Sequence, residues 1–373
     1  MSSGKLTPPP VPSARGDRPG DRIAGKYELL ELAGRGGMST VWRATQHGPG
    51  LFRRNVAVKR LYPHLAEQPL YREMFLEEAR IGAVLADPNI ARVFDFLQHR
   101  DDYYLVMEWI EGIDLFTYID YVTNHVGRRT EWEPMVAVVI GMLRGLAAAH
   151  ERTVDDGSAQ PIVHRDVTPH NVLIGVNGMA RLIDFGLALA SDRQGDGTDP
   201  GIAKGKLSYL APEVVRGGRP TAASDQFTAG VVLWEALAGR RLFADGNQYD
   251  TLKNVAEVRI TPLPQLRDDL PDSLYEAVHR ALSLAADDRF PTVREMANRL
   301  SGILGASPVR DSYERLSRTV RQARQDMALG HRPQGARAET PVPQGEESGI
   351  IELEANDLQP AGLLHRLLGQ FRR

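Results

Sequence analysis

The residues able to do chemistry in this 373-residue chain fall into three short stretches. The first is Gly34-Arg35-Gly36-Gly37-Met38-Ser39-Thr40-Val41. Without a Cβ, glycine lets backbone N–H groups approach a phosphate closely, although a plain Gly-rich hairpin turn has the same wording. The second is Val56-Ala57-Val58-Lys59. Strand alternation puts Lys59 on the same face as Ala57. An ammonium there can meet the α- and β-phosphates of a nucleotide as a point charge, or merely keep a strand edge soluble. Lysine occurs only at Lys5, Lys26, Lys59, Lys204, Lys206 and Lys253, and arginine supplies the rest of the 45 basic residues. Arginine would serve as a generic solvated cation, so a retained lysine favours the chemical use. Its expected partner is an acid in Phe75-Leu76-Glu77-Glu78-Ala79-Arg80. Both Glu77 and Glu78 are available, and the spacing to Asp87-Pro88-Asn89-Ile90 favours Glu78. The third stretch is His164-Arg165-Asp166-Val167-Thr168-Pro169-His170-Asn171, with Asp184-Phe185-Gly186 following it. An Asp shortly before an Asn, in a loop entering an apolar strand, can orient a hydroxyl nucleophile and hold a metal; an Asx-turn connection is the structural alternative. The hard oxygen donors of Asn171 and Asp184 suit Mg²⁺.

These groups need a scaffold, and the pattern supplies one. Tyr27–Ala33, Thr40–Thr45 and Asn55–Leu61 read as strands joined by turns. Leu70–Ala86 reads as a helix closed by Asp87-Pro88, because Pro88 disfavours helical geometry just before it. Ile90–Leu97 and Tyr103–Trp109 read as a hairpin pair. Met135–His150 is apolar nearly all round, the mark of a buried central helix, and Ala222–Leu237 reads similarly. The fold class expected is α+β, with a small β-rich lobe, a connecting hinge and a larger α-helical lobe.

In order and spacing, the Gly-rich loop, Lys59, His-Arg-Asp…Asn, Asp-Phe-Gly and Ala211-Pro212-Glu213 resemble the eukaryotic-like protein kinase family, in its bacterial Ser/Thr branch. The resemblance spans Tyr27 to about Leu304. It implies a bilobal kinase domain over 23–305, with an N-lobe at 23–108, a hinge at 108–112 and a C-lobe at 113–305. It implies transfer of the γ-phosphate of Mg-ATP to Ser or Thr hydroxyls of protein substrates in signalling. By carry-over, Asp166 orients or deprotonates the hydroxyl, Lys59 holds the phosphates, Glu78 holds Lys59, and Asn171 and Asp184 hold Mg²⁺. The nucleotide pocket would comprise Ala33, Gly34, Arg35, Gly36, Gly37, Met38, Ser39, Thr40, Val41, Ala57, Lys59, Glu78, the gatekeeper Met107, the hinge residues Glu108 and Ile110, and Leu173. Ser224-Asp225 resembles the family's buried helix-anchoring Asp, and Arg289 the Arg that pairs with Glu213. A pseudokinase scaffold and a small-molecule phosphotransferase are the other readings. Ala-Pro-Glu, Asp225 and Arg289 together build a peptide platform, which argues against the latter.

The chain departs from the family pattern at several positions. Ser39 replaces the third glycine of the loop. Gly82 stands where a larger apolar side chain usually packs against the Asp-Phe-Gly Phe, predicting a gap beside Phe185. Thr168 stands where Ser/Thr kinases carry Lys, and His170 departs from the tyrosine-kinase wording. Gly205-Lys206-Leu207-Ser208-Tyr209 carries Lys206 where the family has the Thr that bonds the Asp–Lys pair. Thr168 and Lys206 are therefore read as an exchanged catalytic pair, each returning the group the other lost. Thr198, with Ser191 and Ser208 as alternatives, is the candidate activation-loop phosphosite, and Arg165 its receptor.

Composition narrows the rest. The absence of cysteine excludes disulfides, zinc–thiolate sites and thiol nucleophiles. A net charge of −3 offers no global field for nucleic acid or an anionic membrane. Residues 1–22 read as disordered and, lacking an apolar stretch, not as a signal peptide. The most apolar run, Val136–Ala149, is interrupted by Arg144 and reads as too short to span a bilayer. The expectation is a cytoplasmic protein without a transmembrane segment or nucleic-acid partner. Residues 306–373 read as a largely disordered tail. Its Leu363, Leu364, Leu367, Leu368 and Phe371 form a short amphipathic helix for docking a partner.

Overall fold

The computed structural model describes residues 17–154, 156–185, 207–243, 247–305 and 309–330. The N-terminal lobe is one antiparallel six-stranded sheet in the order β1-β2-β3-β4-β6-β5. Its strands are β1 (Arg22–Ile23), β2 (Tyr27–Arg35), β3 (Ser39–His47), β4 (Arg53–Leu61), β5 (Val93–His99) and β6 (Asp102–Glu108). The β3–β4 register is unbroken from Ser39↔Leu61 to His47↔Arg53. Ser39, Val41, Ala57, Lys59 and Leu61 thereby share one face, as period-2 alternation requires. The short α1 (Pro63–Ala66) leads into α2 (Pro69–Val84). Proline at the first turn suits α2, because that N–H has no helical partner anyway. Its inner face buries Met74, Phe75, Glu78 and Ala79.

The C-terminal lobe is helical around a second sheet, β7 (Gly112–Asp114), β8 (Val172–Gly175) and β9 (Ala180–Leu182). The helices are α3 (Leu115–Asp120), α4 (Trp132–His150), α5 (Pro212–Val215), α6 (Ala222–Ala238), α7 (Gln248–Ala256), α8 (Asp272–Ala281), α9 (Val293–Leu304) and α10 (Val309–Ala328). Helices α4 and α6 run through the core, each buried over most of its length. Thr221 caps α6 in a capping box with Ser224, and Gly239 ends it in the left-handed region at φ 70°. Starting at Trp132, α4 is longer than the apolar run read from sequence. Its 19 residues hold an 18-residue stretch of mean hydropathy 1.4, long and apolar enough to cross a membrane by composition, but 78% of that stretch is buried inside the lobe.

Two boundaries differ from the sequence reading. Residues 17–22 belong to the folded lobe: Arg60 Nη1 lies 3.0 Å from Asp17 Oδ1, and β1 pairs with β2. Beyond 305, the expected tail begins instead with the 20-residue helix α10, which buries Leu316, Val320 and Ala323 completely. Arginine-rich composition concealed an apolar stripe at Tyr313, Leu316, Val320, Ala323 and Met327, the three-to-four spacing of one helix face. The Leu363–Phe371 stretch lies outside the described residues.

Candidate active site

Four elements converge where the lobes meet. From β4, Lys59 Nζ reaches Glu78 Oε1 on α2 at 2.6 Å and Asp184 Oδ1 after β9 at 2.8 Å. Lys59 and Glu78 are only 3% and 4% exposed. Helical phase settles the choice of acid: Glu78 lies on the buried face, while Glu77 faces solvent and pairs with Arg80. Burial favours a neutral lysine, but the Asp184 and Glu78 carboxylates outweigh it and raise its pKa, so the ammonium persists. Burial likewise raises the Glu78 carboxyl, against the pull of Lys59.

The loop after α4 carries Asp166. Asn171 Nδ2 donates to the Asp166 carbonyl at 2.8 Å and to its Oδ2 at 3.1 Å. This commits the amide nitrogen and leaves the Asn171 carbonyl oxygen as an acceptor beside a carboxylate. The loop is held from beneath by the buried Asp225 of α6. One carboxylate oxygen accepts from the N–H of His164 at 2.7 Å and lies 2.7 Å from His150 Nε2; the other accepts from the N–H of Arg165 at 2.9 Å. Arg165 and Asp184 have φ of 68° and 61°, left-handed values uncommon for side-chain-bearing residues. Such outliers cluster where surrounding contacts over-determine the backbone, as here.

The His164 ring packs 4.3 Å from Phe185, centroid to centroid. At Gly82, the position from which a gap beside Phe185 was expected, a Cβ would collide with Val93, whose side chain takes the space next to the glycine. The glycine accommodates β5.

The remaining residues singled out in sequence sit as follows. Gly34 pairs with Val41 and Arg35 with Thr40, so Ala33–Val41 spans a β2–β3 hairpin closed by the Gly36 N–H to Ser39 carbonyl bond at 2.7 Å. Gly37 and Met38 form the tip, and Ser39 is buried two positions from Val41 on the Lys59 face. Ala57 pairs with Met107. Glu108 ends β6, and Ile110 lies in the connection to β7. Leu173 is the half-buried residue between buried Val172 and Ile174, and it pairs with Asp114. Thr168 is buried, and its carbonyl accepts from the Asn171 N–H. Lys206, Ser191 and Thr198 lie outside the described residues. Ser208 is buried and donates to the Phe243 carbonyl at 3.0 Å, a structural use.

Further contacts surround these residues; of them, His150 and Glu235 carried no signal in the sequence, while the Glu213–Arg289 pair was expected from the resemblance. His150 joins Asp225 from the end of α4. His170 lies 3.4 Å from Asp114 and packs against Phe116. Tyr209 donates to buried Glu235 at 2.7 Å. Below the site, Arg289 grips Glu213 through both guanidinium nitrogens at 2.8 Å and is itself fully buried. The cost of burying that cation is offset by the bidentate carboxylate and by carbonyls of Ala223 and Ser283.

The protein kinase domain family matches residues 27–300. The chain belongs to this family. The tyrosine-protein kinase MasK of Myxococcus xanthus is 36% identical over 283 residues, covering 75% of this chain and 43% of that protein. The serine/threonine-protein kinase PknA of Mycobacterium tuberculosis is 35% identical over 275 residues, covering 71% of this chain and 58% of that protein. The chain thus spans about half the length of these relatives. Among solved structures, the PknI kinase domain of M. tuberculosis superposes with a TM-score of 0.59 at 25% identity, covering 78% of this chain and all of that one. The bilobal kinase fold expected from the sequence is the fold observed.

Proposed function

We propose that this chain is an active Ser/Thr protein kinase that transfers the γ-phosphoryl group of Mg-ATP to protein hydroxyls. The observation carrying this reading is the buried Lys59 ammonium, 2.6 Å from Glu78 and 2.8 Å from Asp184. A scaffold with no nucleotide chemistry has no need to bury a lysine between two carboxylates, since unpaired burial of such groups is strongly unfavourable.

Lys59 sits where it can hold the α- and β-phosphates, and the glycine hairpin can cover them with backbone N–H groups. The Asn171 carbonyl oxygen and the Asp184 carboxylate are hard donors that fit Mg²⁺, which takes few protein ligands and completes its shell with water and phosphate. That ion would neutralise charge on the phosphates and on the transferring group. Asp166 accepts the hydrogen bond of the substrate hydroxyl. As that oxygen bonds to the γ-phosphorus, the bond to the ADP oxygen breaks and the hydroxyl proton passes to the Asp166 carboxylate. Asn171 and Asp225 hold Asp166 in place, so positioning and charge stabilisation carry most of the catalysis. Glu213–Arg289 and the Asp225-anchored loop brace a platform for a peptide. The cytoplasm, where ATP is available, fits this activity.

The test is incubation with labelled Mg-ATP and a mixed protein substrate, followed by phosphoamino-acid analysis, with Asp166→Asn beside the wild type. Phosphoserine or phosphothreonine, lost in Asp166→Asn, is the expected result. Equal signal in both proteins would support a scaffold. Thr168 in place of the usual lysine, and the M. xanthus relative's name as a tyrosine kinase, favour one second reading: phosphotyrosine alone would overturn the Ser/Thr assignment in its favour.

A further inference from the structure

Helix α10 lies beyond the matched family domain, which ends at residue 300, yet it touches the segment joining the two lobes. Arg324 Nη1 donates to the Gly112 carbonyl at 3.1 Å, and Nη2 to Glu111 Oε1 at 3.2 Å. Two turns earlier, Ser317 Oγ donates to the Val176 carbonyl at 2.6 Å, and Arg321, one turn before Arg324, adds a contact to the same oxygen at 3.3 Å. The Val176 N–H in turn donates to the Glu111 carbonyl at 2.7 Å. The helix therefore grips residue 111 from both sides: directly through Arg324, and indirectly through the residue that follows β8.

The geometry is tight. Gly112 approaches the Ile174 backbone so closely that a Cβ would collide with its carbonyl, and Gly178, at φ 79°, meets the Tyr313 carbonyl in the same way. The two β strands held here carry residues of the proposed nucleotide pocket or adjoin them. Leu173 is on β8, and Trp109–Glu111 leads directly into β7. Leu316, Val320 and Ala323, all fully buried, fix the helix to the lobe.

We propose that α10 is a working part of the nucleotide site, with Arg324 a positioning residue that sets the hinge through the Gly112 carbonyl and the Glu111 carboxylate. This rests on the reading of 108–112 as the adenine-binding hinge. The Glu111 pair is largely exposed, so the ion pair adds little by itself. The charge-assisted bond to the carbonyl is the stronger restraint. Without it, residues 109–111 sample more conformations, and nucleotide binding must select the competent one.

The test compares full-length wild type with Arg324→Ala, Arg324→Lys and Arg315→Ala, measuring Kd for a fluorescent mant-ATP probe with Mg²⁺, KM for ATP, kcat and thermal midpoint. Arg315 sits on the same helix but pairs with Glu131 and Asp311, away from the hinge. Arg324→Ala is expected to raise Kd and KM for ATP roughly fivefold, the scale of one intramolecular hydrogen bond, with kcat at saturating ATP retained. Arg324→Lys should recover part of the loss, and Arg315→Ala should lower the thermal midpoint without moving Kd. Equal nucleotide effects in the Arg315 and Arg324 variants, or an unmoved Kd in Arg324→Ala while the wild type binds normally, would overturn the hinge role alone. A wild type that binds no mant-ATP would overturn the nucleotide-site reading and the hinge role with it.

Discussion

Replacing Asp225 with Asn keeps the shape and removes the charge at the point where the catalytic loop is tied down. The carboxylate is 2% exposed and takes two backbone N–H donors, from His164 at 2.7 Å and Arg165 at 2.9 Å. An amide has one oxygen, so its NH₂ must face one of those donors whichever way it turns. A buried donor left unsatisfied costs about 1–3 kcal/mol, and loss of the charge weakens the remaining bond as well. Arg165 is held at φ 68° by this anchor, and that left-handed backbone costs about 1–3 kcal/mol when nothing enforces it. The expected relaxation moves Asp166, the next residue. Asp225→Asn should therefore lower unfolding stability by about 2–4 kcal/mol and lower kcat at least tenfold. KM for ATP should change little, because Asp225 touches neither the glycine hairpin nor Lys59. Steady-state kinetics at a temperature where the variant remains folded, together with urea denaturation, measure both. Unchanged kcat alongside the full stability loss would refute the idea that the anchor positions Asp166.

Four further outcomes follow, two from the structure and two from the sequence. Gly82→Leu should destabilise the protein by about 1–3 kcal/mol through overpacking against Val93; a stabilised variant by thermal melting would show that a gap exists there after all. For Glu213, burial alone would raise the carboxyl, but the bidentate Arg289 holds its pKa below the ordinary 4.5. The unfolded chain then binds the proton first, so this stabilisation is present above about pH 4.5 and disappears as pH falls through the folded value. Glu213→Gln should flatten that acid limb in denaturation curves taken between pH 6 and 3, and an unchanged limb would assign it to other carboxylates. If Thr168 and Lys206 are an exchanged pair, Thr168→Lys with Lys206→Thr should recover more turnover than either single change, the signature of coupling; additive losses in kcat would end that idea. Deleting residues 361–373 should change partner pull-down while leaving peptide phosphorylation intact, and identical partners with and without the segment would remove its docking role.

Much of the site is legible in the sequence, because its chemistry is written in local words. A Gly-rich hairpin, a strand lysine and a carboxylate loop each follow from residue type and short-range spacing, and their order was enough to imply two lobes. The β3–β4 register delivered Lys59 and Ala57 to one face because alternation is a local geometric property. Selecting Glu78 over Glu77 needed the phase of α2 against the sheet, which spacing only favoured. The Asp225 anchor was suspected by resemblance, but its third partner, His150, lies 75 residues away in sequence and no periodicity links the two. Gly82 was misread for a similar reason: its neighbour is a β5 valine, and only packing shows which side chain fills a space. Helix α10 shows how composition can mislead. Its arginines suggested a solvated tail, while its buried stripe has value only against a surface made by α4, β7 and β8. Sequence by itself determined which groups could react and the local elements that carry them. Tertiary structure decided which of those groups meet, because burial, ion pairing and steric fit depend on segments that are distant along the chain and adjacent only once it folds.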